Sequence, residues 1–339
     1  MYEIVVVGCG VIGLTTAVAI QGKFKKTCKV TIFTEKLSPH TTSDVAAGIW
    51  CPYLYQDTNM KNIVKWSKAT YDYLINLWRE GHADEAGICL QPLTMVFSNE
   101  GHEQPDWLNV PFGTQPLSTE HLETINKQHK KNFKTGIHFI TISAEPLKLL
   151  PFLQKRFIQN GGAIKMKKII NFNELSNYDV IVNCTGLYSK ILAKDDQVVP
   201  ARGQLVRVKA QWNFQTFLHE DGDGAVIVNY DSTVLGGTCQ VNDTNENPSD
   251  SDTRMILKKC YELVPAIQKA PLLDITVGLR PVRTRIRVEM ETIKVDNKVL
   301  RIVHNYGHGG GGITLSYGCA LEATELIKGI LEDILKHKL

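Results

Sequence analysis

The feature that most constrains this chain is a glycine motif between a strand and a helix near the N-terminus. An apolar run from Glu3 to Val7 leads into Gly8-Cys9-Gly10-Val11-Ile12-Gly13, followed by a helical stretch from Leu14 to Gly22 and a second strand from Lys29 to Phe33. The first glycine permits a tight turn, the second lets the backbone approach a pyrophosphate, and the third lets the helix pack on the sheet. The spacing therefore predicts a βαβ unit that binds a dinucleotide.

Two further features refine this prediction. Glu35 follows Gly13 by 22 residues at the end of the second strand, where an acid can hold ribose hydroxyls. The block Asn183-Cys184-Thr185-Gly186 ends a later apolar strand, and a strand-end Thr-Gly that returns to the same nucleotide favours a flavoprotein. An ordinary turn after a buried strand stays open as the alternative, because the glycine motif alone does not distinguish NAD from FAD.

A second glycine run lies near the other end of the chain. His304-Asn305-Tyr306-Gly307-His308-Gly309-Gly310-Gly311-Gly312-Ile313-Thr314 follows a strand-like run, and an amphipathic helical pattern comes after it. A strand, a glycine loop and a helix bring backbone N–H groups and a helix N-terminus to a polar or anionic ligand. The run therefore predicts that the two ends of the chain meet around one cofactor.

Composition excludes several classes of protein. The chain has 339 residues, 43% of them hydrophobic and 22% charged, as in soluble globular proteins, and its net charge of +3 is too small to indicate nucleic-acid binding. No apolar run approaches the ~18 residues of a membrane span. The eight cysteines include no C-x-x-C pair, so no metal site is predicted. The terminal His337-Lys338-Leu339 is a near match to the peroxisomal address Ser-Lys-Leu.

The pattern of elements predicts an α/β fold with an inserted, mainly β domain. The family resemblance described in the next paragraph implies that these are a Rossmann-like FAD-binding domain and a substrate-binding domain. Short strands are expected from Gly87 to Ile140, a helix from Glu145 to Gln159, and long β segments at Ala201 to Ala210 and Ala225 to Thr238. A surface loop is expected at Val241 to Asp252. We assign residues 1–55, 142–200 and 276–339 to the FAD-binding domain and residues 56–141 and 201–275 to the substrate-binding domain.

Several blocks of the sequence resemble the FAD-dependent D-amino-acid oxidase and D-aspartate oxidase family. They run in the family's order from residue 4 to residue 323 and cover nearly the whole chain. The blocks are Val5 to Leu14, Thr41 to Trp50, Val182 to Gly186, Arg202 to Gln204, Leu235 to Thr238, Gly278 to Arg283 and the run that begins at His304.

The resemblance implies FAD held without a covalent bond by residues from both ends of the chain. By family position these residues are Gly8, Gly10, Val11, Ile12, Glu35, Lys36, Thr41, Thr42, Ser43, Gly48, Ile49, Ile169, Thr185, Gly309, Gly310, Gly311, Gly312, Ile313 and Thr314.

The resemblance also implies hydride transfer from the Cα of a D-amino acid to flavin N5 with no side-chain base. Reoxidation by O₂ then gives a 2-oxo acid, ammonia and hydrogen peroxide. Arg280 would grip the substrate carboxylate with two parallel hydrogen bonds, and the Gly310 carbonyl would accept from the ammonium. These are the two catalytic residues expected. Arg283, Arg285 and Arg287 lie nearby, so the sequence alone does not single out Arg280.

The chain departs from the family pattern around the substrate. The expected lid tyrosine falls near Ile227, and Tyr230 is the phenol next to it. D-Aspartate oxidases carry arginines where this chain has His219-Glu220-Asp221 and Cys239. We therefore expect Ile227, Tyr230, Cys51 and His219 among the substrate-binding residues, and we favour neutral or varied D-amino acids over D-aspartate.

Other interpretations stay open. D-Aspartate oxidation is the nearest, followed by a related amine or sarcosine/glycine oxidase, a flavin-binding protein without activity, and an NAD-dependent dehydrogenase. The partners expected are a D-amino acid and O₂, with no nucleic acid and no membrane. Peroxisomal import through the terminal tripeptide is expected, with a cytoplasmic location if the tripeptide is not read, and a homodimer is allowed.

Overall fold

The computed structural model describes residues 1–101, 104–220, 224–295 and 298–337 of the chain. Within these ranges the strands are β1 (Tyr2–Val7), β2 (Cys28–Thr34), β3 (Ile88–Phe97), β4 (Gln115–Pro116), β5 (Thr135–Ala144), β6 (Ala163–Met166), β7 (Val180–Asn183), β8 (Val199–Val208), β9 (Thr216–His219), β10 (Gly224–Val228), β11 (Thr233–Gly236), β12 (Gln240–Val241), β13 (Leu272–Val295) and β14 (Lys298–His308). The helices are α1 (Val11–Phe24), α2 (Thr42–Val45), α3 (Met60–Arg79), α4 (Ala83–Ala86), α5 (Thr119–His129), α6 (Pro146–Gln159), α7 (Ser189–Leu192), α8 (Asp250–Leu263) and α9 (Gly312–Lys336).

One large mixed sheet runs through the molecule. The strand order is β4-β5-β3-β9-β10-β11-β8-β13-β14-β7-β1-β2-β6, with β12 paired beside β8. The last five strands of that order are parallel, as expected for strands buried beneath crossover helices. This parallel end contains the predicted βαβ unit, which the structure confirms together with the α/β class.

The other end of the sheet is largely antiparallel and is joined to the parallel end through β13. This strand of 24 residues pairs with β8 along its first half and with β14 along its second. Arg280 lies on the first half, opposite Ala201 of β8. A single strand therefore carries the candidate arginine out of the dinucleotide-binding part of the sheet.

The core of the parallel end explains why its helices form where they do. Residues from Val11 to Ile20 of α1 are nearly all buried, because the helix packs between the sheet, α9 and α6. α9 buries an apolar face that includes Leu315, Ala323 and Ile327 against α1 and α3. The helix after each glycine run is thus fixed by burial of apolar side chains.

Some expectations from the sequence need correction. The segment from 225 to 238 is a hairpin of two short strands rather than one long β segment, because Asn229 to Ser232 forms a turn. The strand β14 continues to His308, so the glycine loop begins at Gly309. Helix α5 lies within the stretch expected to hold short strands, and α8 begins at Asp250, inside the expected loop. The domain boundaries stay a prediction, since the sheet crosses them.

We predict that Gly318→Ala destabilises the fold whereas Gly329→Ala, in the same helix, does not. A Cβ at Gly318 would collide with the backbone of Trp66, which cannot move aside like the end of a flexible side chain. The free energy of unfolding should fall by about 1–3 kcal/mol. At Gly329 nothing lies within 4 Å of the added Cβ, and alanine should stabilise the helix by about 0.5–1 kcal/mol. Denaturant unfolding of both variants tests this, and equal stability of the two would contradict the close contact of α9 with α3.

Candidate active site

A cavity of about 800 Å³ extends from the loop after β1 to Arg280 on β13. Its volume lies at the large end of the range usual for ligand sites. Most of the predicted cofactor residues line it: Gly8, Gly10, Val11, Ile12, Glu35, Lys36, Thr41, Thr42, Ser43, Gly48, Ile49, Ile169, Thr185, Gly309, Gly310, Gly312 and Ile313. The structure therefore brings the two ends of the chain to one cavity.

The glycines of the first motif have distinct structural roles. Gly8 has φ +106°, which an L side chain rarely adopts, and a Cβ there would collide with the Cys184 carbonyl. A Cβ at Gly13 would collide with the Gly8 carbonyl, so the third glycine permits close packing of helix on strand. Gly10 provides no side chain to cap α1, and no acid lies in the first turn of the helix. The N-terminus of α1 is therefore suited to an anionic ligand.

The segment from Thr41 to Ile49 is held against the cavity by bonds from distant strands. Buried Asp44 accepts hydrogen bonds from the backbone and the hydroxyl of Thr41 at 2.8 and 2.7 Å. Arg207 donates to the carbonyls of Val45 and Ala46 at 3.2 and 3.1 Å, and burial lowers its pKa. Asn229 donates to the Ala47 carbonyl at 2.8 Å. The sequence motif marks this loop, but the residues that hold it come from β8 and the β10–β11 turn.

Charge at the dinucleotide end is locally paired. Glu35 forms an ion pair with Lys168, with 2.9 Å between Oε2 and Nζ, and both side chains are about half exposed. Such an exposed pair contributes little to stability. It leaves the Glu35 carboxylate within reach of a ribose. The Thr185 hydroxyl donates to Asn183 Oδ1 at 2.7 Å and also lies 2.8 Å from the Ser189 hydroxyl.

The second glycine run forms a turn onto the N-terminus of α9. Gly309 has φ +54°, and a Cβ there would collide with the Leu54 carbonyl. A Cβ at Gly312 would meet only Val11, at 3.8 Å, so the space beside it is open. No side chain caps α9 and its first turn contains no acid. The N-termini of α1 and α9 therefore face the same cavity, that of α1 with the Val11 N–H donating to the Ser43 hydroxyl at 3.0 Å.

Two predicted cofactor residues do not line the cavity. Gly311 lies behind the turn, against His308 and Leu315. Thr314 is buried, where its hydroxyl accepts from the Cys51 N–H and lies within hydrogen-bonding distance of the Cys51 carbonyl, both at 3.1 Å. Contact of these two residues with the cofactor stays a prediction, and the Thr314 hydroxyl also ties Cys51 to α9.

Two buried polar side chains along the cavity have unpaired atoms. His308 Nε2 and Asn305 Oδ1 have no hydrogen-bond partner among the described residues, although both side chains are almost fully buried. Burial lowers the pKa of His308 to about 3, so the ring is neutral at physiological pH. Unpaired buried polar atoms are rare in proteins and are consistent with a site that a bound polar group completes.

Arg280 lines the cavity beside β8. Its Nη1 donates to the Thr238 carbonyl at 2.9 Å. The guanidinium rests on the backbone of Gly203, where a Cβ would collide with Nη1. The other described cations that line the cavity are Lys36, Lys167 and Lys168, at the dinucleotide end. Arg280 is thus placed to bind an anion away from the dinucleotide.

The neighbouring residues Arg283, Arg285 and Arg287 do not line the cavity. Arg283 Nε donates to the buried carboxylate of Asp195 at 2.8 Å, and Tyr306 donates to the same oxygen at 2.7 Å. Burial alone would raise the pKa of Asp195, but these hydrogen bonds outweigh it and the net pKa is lowered. Arg287 pairs with Glu289 and Glu291 at 2.6 and 3.1 Å, and the Arg285 side chain is exposed. The structure therefore separates Arg280 from the alternatives that the sequence left open.

The predicted substrate residues are only partly brought together. Ile227, Cys51 and His219 line the cavity, and burial raises the pKa of Cys51 well above its usual value, which keeps the thiol neutral. Tyr230 does not line the cavity. Its hydroxyl donates to Asp84 at 2.7 Å, and its ring lies against the Lys148 ammonium. The expectation that Tyr230 takes the lid role is corrected on this geometry.

The position of Tyr230 follows from how its turn is held. Buried Glu145 accepts from the Asp231 N–H at 2.7 Å and from the Ser232 hydroxyl at 2.8 Å. These bonds direct the turn toward α4 and α6. The sequence gives no sign of them, because Glu145 lies more than 80 residues away.

Sequence reasoning missed Tyr53, which lines the cavity beside Arg280 and Gly310. Burial and the neighbouring Cys239 raise the pKa of this phenol to about 12, so it remains protonated and able to donate. Its place three residues after Trp50, directly behind the predicted flavin loop, was the available signal.

Comparison with known proteins agrees with this geometry. The DAO family model, described as FAD dependent oxidoreductase, matches residues 3–326. The chain is 37% identical to D-aspartate oxidase of Homo sapiens over 330 residues, which cover 96% of this chain and 94% of that protein. It is 34% identical to D-amino acid oxidase of Dugesia ryukyuensis over 344 residues, covering 99% and 100%.

Solved structures share the fold. Glycine oxidase of Geobacillus kaustophilus superposes with a TM-score of 0.78 at 16% identity, covering 97% of this chain and 95% of that one. Within the described residues, no group of three or more His, Cys, Asp or Glu could hold a metal ion, and no helix is long and apolar enough to cross a membrane.

The buried histidines predict acid-sensitive stability. Burial lowers the pKa of His308 to about 3 and that of His304 to about 4, below the ~6.5 of an unfolded histidine. As the pH falls below about 6.5 the unfolded chain gains protons first, so the folded state loses up to about 1.4 kcal/mol per pH unit for each histidine until the folded pKa is reached. Denaturant unfolding of the FAD-saturated protein between pH 7 and 4 measures this slope. In His308→Asn the slope should fall by about 1.4 kcal/mol per pH unit, which is the contribution of one proton. An unchanged slope would contradict a buried neutral His308.

Proposed function

This chain belongs to the DAO family of FAD-dependent oxidoreductases, and on that basis we propose that it oxidises D-amino acids. The overall reaction converts a D-amino acid, O₂ and water into a 2-oxo acid, ammonia and hydrogen peroxide. The observation that carries the proposal is that Arg280, held by the Gly203 backbone and the Thr238 carbonyl, lines the same cavity as the glycine loop after β1. A substrate carboxylate held there would place its Cα along the cavity toward the dinucleotide-binding residues.

The residues of the cavity fit FAD. The N-terminus of α1, which has no acid in its first turn, suits the pyrophosphate, and Glu35 suits the ribose of the adenosine end. The open space beside Gly312, the uncapped N-terminus of α9 and the unpaired atoms of His308 and Asn305 suit a flat polar ring. When bound, FAD would accept a hydride from the substrate Cα and pass the electrons to oxygen.

The protein's own residues act by binding and orientation. Arg280 offers two parallel N–H donors to the substrate carboxylate, and the Gly310 carbonyl is available to accept from the substrate ammonium. The Tyr53 phenol and the Cys51 thiol are both held protonated by burial, so neither serves as a base at neutral pH. The rate then depends on how firmly the substrate is oriented.

The substrate side chain is the finer part of the proposal. Glu220 lines the cavity and acts electrostatically on Cys51, Tyr53 and Tyr55, and Cys239 stands where an arginine would pair with an acidic side chain. A carboxylate near the end of the cavity disfavours a second negative charge on the substrate. We therefore propose neutral or varied D-amino acids.

D-Aspartate and D-glutamate are the second candidate, supported by the 37% identity to D-aspartate oxidase of Homo sapiens. His219 lines the cavity with Nε2 2.7 Å from the Ser98 hydroxyl, and a protonated imidazole there would favour an acidic substrate. Asp221, which completes that predicted block, lies outside the described residues.

Location and assembly stay predictions. A product peroxide suits a catalase-containing compartment, in line with the terminal His337-Lys338-Leu339, of which residues 338 and 339 lie outside the described ranges.

Anaerobic reduction of the bound flavin tests the function. D-Alanine and D-proline should bleach the flavin faster than D-aspartate and D-glutamate, and the L-enantiomers should leave it oxidised. Arg280→Leu should lower kcat/KM by about 100-fold or more, because two hydrogen bonds to a charged group are lost. Arg285→Leu is the matched control, since its exposed side chain lies outside the cavity. If none of the four D-amino acids reduces the flavin, the proposal fails, and faster reduction by D-aspartate would favour the second candidate.

A further inference from the structure

The proposed function leaves the substrate carboxylate with an incomplete set of partners. The hairpin strand that lines the cavity, Gly224-Ala225-Val226-Ile227-Val228, contains no phenol. The phenol of Tyr230 is turned outward and donates to Asp84. A carboxylate has about four lone-pair sites, of which a bidentate arginine fills two. A second donor must therefore come from another element if the carboxylate is to be held in one orientation.

Tyr53 comes from a different part of the chain but lies against the same glycines. A Cβ added at Gly310 would collide with the Tyr53 ring and would lie 3.3 Å from the Tyr53 carbonyl. The following residue, Leu54, has φ +53°, and its carbonyl packs on Gly309. The backbone of Tyr53 and Leu54 is thus pressed onto the glycine turn, which fixes where the Tyr53 ring enters the cavity.

Tyr53, Cys239 and Arg280 line the same cavity. The Tyr53 hydroxyl lies within hydrogen-bonding reach of the Cys239 thiol, and the positive charge of Arg280 acts on it electrostatically. Cys239 follows Thr238, whose carbonyl accepts the hydrogen bond from Arg280 Nη1. Phenol, guanidinium and the Gly310 backbone therefore converge on one volume, and Tyr53 retains 40% of its surface exposed while lining the cavity.

The chemistry of the phenol suits this position. With its proton retained at physiological pH, the hydroxyl can donate to an anion beside it. A thiol is a weak hydrogen-bond partner. When the Tyr53 hydroxyl donates to a substrate carboxylate instead of to Cys239, it therefore gains a charge-assisted hydrogen bond and loses only a weak one.

We propose that Tyr53 donates a hydrogen bond to the substrate carboxylate beside Arg280, in the role for which the hairpin has no phenol. This inference rests on the proposed function for the identity of the substrate, but it makes a separate claim about which small anions the cavity binds. Tyr53 is thereby a substrate-binding residue that orients Cα and takes no part in proton transfer.

Tyr53→Phe and Tyr230→Phe form a matched pair, because each removes one hydroxyl and keeps the ring. Tyr53→Phe should raise KM for the D-amino acid by about 10- to 100-fold, as expected for one charge-assisted hydrogen bond. Its kcat should change much less, since the ring still packs on Gly310. Tyr230→Phe should leave both constants within about twofold. An unchanged KM in Tyr53→Phe, or an equal rise in both variants, would overturn the proposal.

Binding of a small acid and its amide separates this inference from the proposed function. Propionate and propionamide have the same size and differ in charge, and flavin absorbance reports their binding without turnover. Tyr53→Phe should weaken propionate about 10-fold and leave propionamide unchanged. Equal weakening of both, or of neither, would assign the tyrosine a packing role and overturn the proposal. If D-amino acids fail to reduce the wild-type flavin while the selective loss of propionate is seen, the proposed function fails and the carboxylate site stands.

Discussion

The site depends on the contact between the Arg280 guanidinium and the bare backbone of Gly203. These residues lie on neighbouring antiparallel strands, in which Gly203 of β8 stands opposite Gly278 of β13, two residues before the arginine. Any side chain at Gly203 would occupy the position of Nη1. The Gly203 backbone lies against the guanidinium with no side chain between them, and the Thr238 carbonyl accepts one N–H at 2.9 Å. These two contacts fix the position of the guanidinium. The remaining N–H groups can then face a ligand in one orientation, which is the requirement for holding a substrate Cα in place.

This arrangement works because the neighbouring arginines Arg283 and Arg287 are paired with carboxylates within the fold. Buried Asp195 is shared by Arg283 and Tyr306 where β13 and β14 meet, and removing such a carboxylate would leave a buried cation without a partner. The same network holds β14 just before the glycine turn at Gly309. One buried carboxylate therefore keeps a competing arginine out of the cavity and supports the loop that packs on Tyr53.

Local sequence was enough to predict the parts of the site where a residue type has a single physical role, as glycine has in a tight turn. The βαβ unit, the glycine turns and the buried strand that ends at Asn183 follow from backbone sterics and burial, so their spacing is informative. The placement of Tyr230 outside the cavity could not be predicted, because it depends on Glu145 and Asp84, which reach the hairpin from distant parts of the chain. For Tyr53 the sequence offered only its place behind the predicted flavin loop, and the packing of residues 53 and 54 on Gly309 and Gly310 shows where its ring lies. Contacts between elements far apart in sequence leave no periodic signal in either segment.

The most direct test of this account is the effect of Gly203→Ala on substrate affinity in the FAD-loaded protein. The added methyl group meets the end of a flexible side chain rather than backbone, so the fold and the FAD content should be retained while the guanidinium is displaced. KM for the D-amino acid should rise about 10-fold or more, and the substitution should add almost nothing in an Arg280→Leu background, because both changes remove the same interaction. An unchanged KM in Gly203→Ala, or an undiminished effect in the absence of Arg280, would contradict the claim that this contact positions the substrate.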